Sequence, residues 1–207
     1  MPRQADHEAR RRQIAEAVWR LAARGGLEDV TLRHVAAEAG VSVRLVQYYF
    51  GARDDLLLTA LAMLHADGEE QARKRITALG DDPGPRAVLR GVLLEMLPLD
   101  EERRTRHLVH VAYFVRMLRD ERLGRAAREA PPELENLVAL LIKQGQERGQ
   151  VPPTIDPDTE AVLLLATAEG LQAGVLLGQR APQEAVALIE HQLDRVFQAG
   201  TDHDRGA

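Results

Sequence analysis

Apolar residues recur along almost the whole chain at three- and four-residue intervals, the period of one helix face. No convincing run of period-two alternation bounded by turn residues interrupts them. The pattern predicts an all-α protein. Ile14, Val18 and Leu21 stripe a first helix that stops at Gly25-Gly26, where the chain can turn with positive φ. Thr31 can cap a short helix, Leu32 to Ala39, which Gly40 ends; Ser42 can cap another, Val43 to Tyr49, which Gly51 breaks. A long amphipathic helix follows from about Arg53 to Leu79 on Leu56, Leu57, Leu61 and Leu64, closed by the turn Gly80-Asp81-Asp82-Pro83-Gly84-Pro85.

Beyond that turn the helices lengthen. They are placed at Pro85 to Leu97, Glu101 to Asp120 and Leu123 to Arg148, the last interrupted or kinked at Pro131-Pro132, because proline removes a backbone donor and clashes with the preceding turn. After a loop at Gly149 to Ile155, Asp156-Pro157 sets a capping carboxylate before a first-turn proline for a helix to about Gly178, and Pro182 opens a final helix to Ala199. The tail Gly200 to Ala207 is expected to fray.

Composition narrows the chemistry. The 207 residues contain no cysteine, which excludes disulfide scaffolds, thiolate nucleophiles and Cys-ligated metals and suits a reducing cytoplasm. Ser42 is the only serine and has no hydrolase context. The polar, charged start is unlike a secretory leader, and the greasiest stretch, Val162 to Leu177, is interrupted by Glu169 and Gln172 and falls short of a membrane span. A soluble, cytoplasmic chain without cofactor is expected. The net charge of -5 is unevenly spread: residues 1 to 55 carry +1 and the remainder -6. A less acidic head with the run Arg10, Arg11, Arg12 suits an anionic partner for that part alone.

Two short helices joined by Ala39-Gly40-Val41-Ser42 make a helix-turn-helix. Ala36, Ala37 and Ala39 allow close crossing, and Val35, Val41 and Val46 supply its apolar contacts. On the second helix Val43, Arg44, Gln47 and Tyr48 share one face, while Val46, Tyr49 and Phe50 turn inward. Arg can pair with guanine, Gln with adenine, and an aliphatic group can meet a thymine methyl, so that face is equipped to read a major groove. Tyr49 and Phe50 also read as packing residues, Thr31 and Ser42 as ordinary caps, and Arg10 to Arg12 as a solvated helix face.

The stretch Thr31-Leu32-Arg33-His34-Val35-Ala36-Ala37-Glu38-Ala39-Gly40-Val41-Ser42, followed by Tyr48-Tyr49-Phe50-Gly51-Ala52-Arg53-Asp54-Asp55-Leu56, resembles the DNA-binding head of the TetR family of bacterial transcriptional repressors, over about residues 8 to 60. The resemblance implies base reading by Arg33, Val43, Arg44, Leu45 and Gln47, and phosphate contacts from Thr31, Tyr48, Tyr49 and Arg53; Ser42 joins these as the cap whose helix N-terminus can face phosphate. Two departures stand out: Gln47 where the family usually has an aromatic, and Arg53 where it usually has lysine. The architecture implied is a three-helix helix-turn-helix DNA-binding domain at residues 1–52, then a helical effector-binding and dimerisation domain at 53–207, about nine helices in all.

A single head reads only a few base pairs, so a homodimer on a semi-palindromic double-stranded operator is expected. Val186, Ile189, Leu193 and Val196 stripe the last helix, and the helix from Pro157, with Val162 and Leu165, is apolar around most of its circumference. The resemblance implies that these two helices pair with their copies as a four-helix bundle; a purely intramolecular core is the other reading. The middle helices are where the family keeps a small-molecule pocket, and Met96, His110, Tyr113, Phe114, Met117, Glu169 and Gln172 are the effector candidates. His107 and His110 lack a third ligand of convincing spacing, so no metal is expected. An effector-released repressor is the leading expectation. An activator or a regulator controlled by a protein partner is the alternative, and a helical-bundle metalloenzyme lacks the Glu-x-x-His pairs it would need, so the chain reads as a non-enzyme.

Overall fold

Capping chemistry fixes where these helices begin. In the computed structural model, which describes residues 2–78, 80 and 83–197 (side chains of 2–5 and 126 excepted), the order is α1 Pro2–Gly25, a 3₁₀ turn Leu27–Asp29, α2 Leu32–Glu38, α3 Val43–Phe50, α4 Arg53–Thr77, α5 Pro85–Glu95, α6 Glu101–Met117, α7 Glu121–Glu129, α8 Glu133–Glu147, α9 Pro157–Leu176 and α10 Pro182–Val196. The expected tail at 200–207, the expected end of the last helix at Ala199, the expected end of the long helix at Leu79, and Asp81 and Asp82 of the expected turn lie outside the described residues. Asp156 accepts from Thr159 N at 2.8 Å and Asp120 from Leu123 N at 3.2 Å, each satisfying a first-turn donor. The Pro131-Pro132 interruption is complete: Ala130, extended at ψ 133° as a residue before proline prefers, separates α7 from α8, so ten α-helices stand among the described residues.

The chain packs as two compact units, residues up to Gln71 with Thr105–Ala130, and Ala72–Arg104 with the chain from Pro131 onward. Two of these packing boundaries fall inside α4 and α6 and the third between α7 and α8, whereas the functional division is expected after residue 52. In the first unit Ile14, Val18, Val30, Val35, Val46, Leu56, Ala60 and Val109 are fully buried in one core. Two buried polar tips finish it: Trp19 Nε1 donates to Ala60 O at 2.9 Å and Tyr113 OH to Leu57 O at 2.7 Å. Main-chain oxygens of α4 thus hold both α1 and α6.

The second unit closes a separate core on Leu89, Leu93, Val138, Ile142, Leu164, Ala168, Ile189 and Leu193. Arg86 pairs with Asp194 at 2.5 Å and Arg90 with Glu190, tying α5 to α10. By length and composition alone α9 is apolar enough to cross a membrane, a test that a helix packed into a protein core also passes. Its Ala161, Leu164, Leu165, Ala168, Leu171 and Val175 pack into this core, while Val162 and Leu163 stay about half exposed. A helix that is greasy on both sides and covered on one is left wanting a neighbour.

Candidate nucleic-acid interface

The turn between α2 and α3 is built by Gly40 at φ 65°, with Val41 N donating back to Ala36 O at 2.9 Å. Gln13 Nε2 of α1 donates to Ala39 O at 2.7 Å and so pins the turn from below. Arg20 and Arg24 grip Glu38 at 2.7 and 2.5 Å, fixing how α2 lies on α1, and their hydrogen bonds hold the Glu38 carboxyl below the usual carboxylate range. Thr31 accepts from His34 N at 3.1 Å and Ser42 from Leu45 N at 3.2 Å, so both helices begin with a side-chain cap.

With that frame fixed, α3 divides by angle as its sequence suggests. Val46 and Phe50 are buried, Leu45 and Tyr49 half-buried, and Val43, Arg44, Gln47 and Tyr48 face outward, Tyr48 at 75% exposure. Tyr49 is held edge-on by His7 and Tyr48, ring centroids 4.6 and 5.2 Å away. Arg33 is exposed on α2 and Thr31 half-buried at its start. The outward face therefore combines two potential base-edge readers, Arg44 and Gln47, with an exposed phenol and two capped helix N-termini.

Arg53 stands differently from the expectation. Its Nε donates to Val30 O at 2.6 Å and its NH2 to Leu27 O at 2.5 Å. The guanidinium is thereby engaged on the main chain that enters α2. Of the arginine run, Arg10 bonds Gln13, Arg11 lies 5.3 Å over the Phe50 ring, and Arg12 is tied to Glu16 at 3.0 Å and Asp67 at 2.6 Å. The sequence showed neither the Arg53 fork nor the Gln13 bond, because all three acceptors are main-chain carbonyls.

The remaining candidates separate by unit. His110, Tyr113, Phe114 and Met117 belong to the first and Met96, Glu169 and Gln172 to the second. Tyr113 is buried with its hydroxyl committed to Leu57; burial pushes its pKa up, with Arg53 acting the other way. Phe114 is 60% exposed, Met117 is half-buried against the first core, Met96 against the second, Gln172 is half-buried and Glu169 exposed. Among the expected dimer residues Val162 is exposed and Val186 half-buried, but Leu165, Ile189, Leu193 and Val196 are spent in the protomer's own core. On α9, its C-cap and α10 the exposed large apolar positions are Val162, Leu163, Leu177 and Leu188, and α8 of the same unit exposes Leu134, Leu137 and Leu140.

Residues 14–60 match the family model of bacterial regulatory proteins of the tetR family, and residues 85–198 match the model of the C-terminal part of BetI-type transcriptional repressors. The HTH-type transcriptional regulator PksA of Bacillus subtilis is 32% identical over 86% of this chain and 83% of its own. A TetR-family regulator from Rhodococcus sp. superposes with a TM-score of 0.81 at 25% identity, covering 92% of this chain and all of that one. A transcriptional regulator from Saccharomonospora viridis, solved in complex with choline, gives 0.76 at 26% identity over 89% of this chain and 95% of that one.

Proposed function

The chain belongs to the TetR family of bacterial regulatory proteins and is a helix-turn-helix transcriptional regulator, and from that premise we propose a homodimeric repressor, released from its operator by a small molecule. The observation that carries the DNA-binding part is the division of α3: Val46 and Phe50 lock the helix down while Val43, Arg44, Gln47 and Tyr48 stand free. Residues 1–52 read the operator. Arg33, Arg44 and Gln47 take base edges with Val43 beside them, and Thr31, Ser42, Tyr48 and Tyr49 meet phosphates.

Residues 53–207 supply the dimer and the effector response. The uncovered face of Val162, Leu163, Leu177 and Leu188, with small residues Ala166, Gly170 and Ala173 between them on α9, suits a second copy of the same surface across a two-fold axis. Two heads then span two half-sites. Release requires only that the effector prefer a head spacing unlike that on DNA. Within the first unit a physical link exists: Tyr113 on α6 bonds α4 at Leu57, Arg122 pairs with Asp55 at 2.8 Å, and Arg53 at the start of α4 holds the approach to α2. The choline seen in the Saccharomonospora relative makes a small organic molecule the reasonable class of effector.

The test is fluorescence anisotropy on duplexes from the gene's own promoter over a salt series. The parent should bind tightly with a steep salt dependence, and Arg44→Ala with Tyr48→Ala should lose about tenfold or more. Undiminished affinity of that double variant would sink the reading.

A further inference from the structure

The first unit leaves an apolar face uncovered on α6. Val111 and Val115 are nearly half exposed, Phe114 is 60% and Leu118 70% exposed, and Leu108 is half-buried beside them. Leu118 follows the last residue of α6 but keeps a helical bond, its N donating to Phe114 O at 3.2 Å. Leu108, Val111, Val115 and Leu118 succeed one another at three, four and three residues, the spacing with which one helix presents a seam to another. The opposite side of α6 is taken up by the unit's own core, where Val109 and Tyr113 are buried.

Along one flank of the seam runs a cleft of about 310 Å³, walled by Leu108, Ala112 and Val115 on α6, by Ala22 of α1 and by Leu27 of the 3₁₀ turn. Its two charged residues are already matched: Arg116 pairs with Asp120 at 3.1 Å and approaches Glu28 at 3.7 Å. The cleft therefore suits apolar contact and needs no counter-charge. A small molecule lodged there would leave out Phe114 and Leu118, the most exposed of the set, because neither lines the cleft. A second helix laid along the seam covers both.

The seam is also its own complement. Counted from Tyr113, Leu108 and Leu118 lie five positions to either side, and Val111 and Val115 two positions. An antiparallel copy centred there sets Leu108 against Leu118 and Val111 against Val115, twice over, as a two-fold axis requires. Phe114, one position from the centre, then meets its own counterpart and can form an offset or edge-to-face ring contact. A parallel copy would instead align Arg104 and Arg119, at the two ends of the stripe, each with its counterpart, and like charges disfavour it.

We infer that α6 pairs antiparallel with the α6 of a second copy through Leu108, Val111, Val115 and Leu118, and that this contact sets the distance between the two DNA-reading heads. This rests on the homodimer reading. The head and α6 belong to one packing unit. Tyr113, on the buried side of α6, bonds Leu57 O, and Leu27, at the cleft wall, carries the carbonyl that Arg53 holds. A contact on the outer side of α6 is therefore a contact between heads. The seam runs for about three turns, too short for the area of a stable dimer, so it orients a dimer whose larger contact lies elsewhere.

The chain has no cysteine, so introduced pairs read the contact directly. The full-length variants L108C and L118C are oxidised separately, and again after mixing and subunit exchange. In an antiparallel seam each cysteine lies about 15 Å along the helix from its own counterpart, beyond disulfide reach, so only the mixture should cross-link. V111C mixed with V115C, both at exposed positions, repeats the mixed cross-link if L108C fails to fold. Cross-linking by L108C or L118C alone, or none in either mixture while light scattering shows a dimer, overturns the seam and leaves the homodimer standing. A monomer throughout overturns both. Mixed cross-linking that survives L163E with L177E upholds the seam and overturns the α9 contact. For the spacing role, V115E should cut the preference for a duplex with two half-sites over one with a single half-site about tenfold, with half-site affinity unchanged. A parent-like preference in V115E overturns that role.

Discussion

Replacing Arg53 with glutamine separates two roles that the same cation could play. As a phosphate contact it would act only when DNA is present. As a fork on Leu27 O and Val30 O, at 2.5 and 2.6 Å, it acts in the free protein by holding the 3₁₀ turn and the entrance of α2 in place. Charge-assisted hydrogen bonds of this kind contribute about 1.5–3 kcal/mol each when buried. Arg53 is only half-buried, so solvent screening brings the pair to about 2 kcal/mol in total. For a chain of this size that corresponds to a fall in Tm of about 4–8 °C. R53K keeps the charge but not the planar two-pronged fork, so it should recover less than half of the loss. The assay pairs thermal unfolding of the free protein with the salt dependence of operator binding. A phosphate contact would appear as a reduction of about one in the slope of log affinity against log salt. A lowered slope with an unmoved Tm in R53Q would refute the fork as the main role of this residue.

Other substitutions test the packing and the surfaces. Y113F deletes the buried hydroxyl bond to Leu57 and should cost about 1 kcal/mol in denaturant unfolding. I189A, in a side chain with no exposure, should cost about 2–5 kcal/mol. L163E on the uncovered face of α9 should leave helicity and Tm of the protomer nearly intact while light scattering reports a shift from dimer to monomer; a dimer unaffected by L163E and L177E together would place the interface elsewhere. The Asp156 carboxyl is held below its usual range chiefly by its hydrogen bonds from Thr159. Because its folded-state pKa is depressed, the charge stabilises α9 at neutral pH and that stabilisation is lost as pH falls through the folded value. The Tm advantage of the parent over D156N should therefore be constant near neutrality and shrink in acid.

Helix starts were legible because the capping letters carry their own chemistry: Thr31, Ser42, Asp156 and Pro182 each stand one residue before or at the first turn of a helix found in the structure. The outward and inward faces of α3 were legible for a similar reason, since eight residues at helical period leave little freedom once Val46 and Phe50 are buried. Periodicity says that a stripe is apolar and not what covers it. Ile189, Leu193 and Val196 make as good a stripe for a partner as for a core, and only packing shows that the protomer itself uses them, leaving Leu163, Leu177 and Leu188 uncovered. The apolar periphery of α9 defeats the period outright, because no angle is preferred.

A second class of interaction is invisible for another reason. Trp19 to Ala60, Tyr113 to Leu57, Gln13 to Ala39 and Arg53 to Val30 all end on main-chain carbonyls, which every residue possesses and no letter marks. Two of these acceptors lie on α4, a third donor stands at its first residue, and the Gln13 bond fixes the turn that aims α3. The apolar pattern suffices to form the helices of the head, whereas their orientation depends on side chains reaching backbone. A change along α6 that pulls on Tyr113 is thus transmitted through α4 to the approach of α2 by hydrogen bonds, and Y113F should weaken the effector's grip on operator affinity more than it weakens the fold.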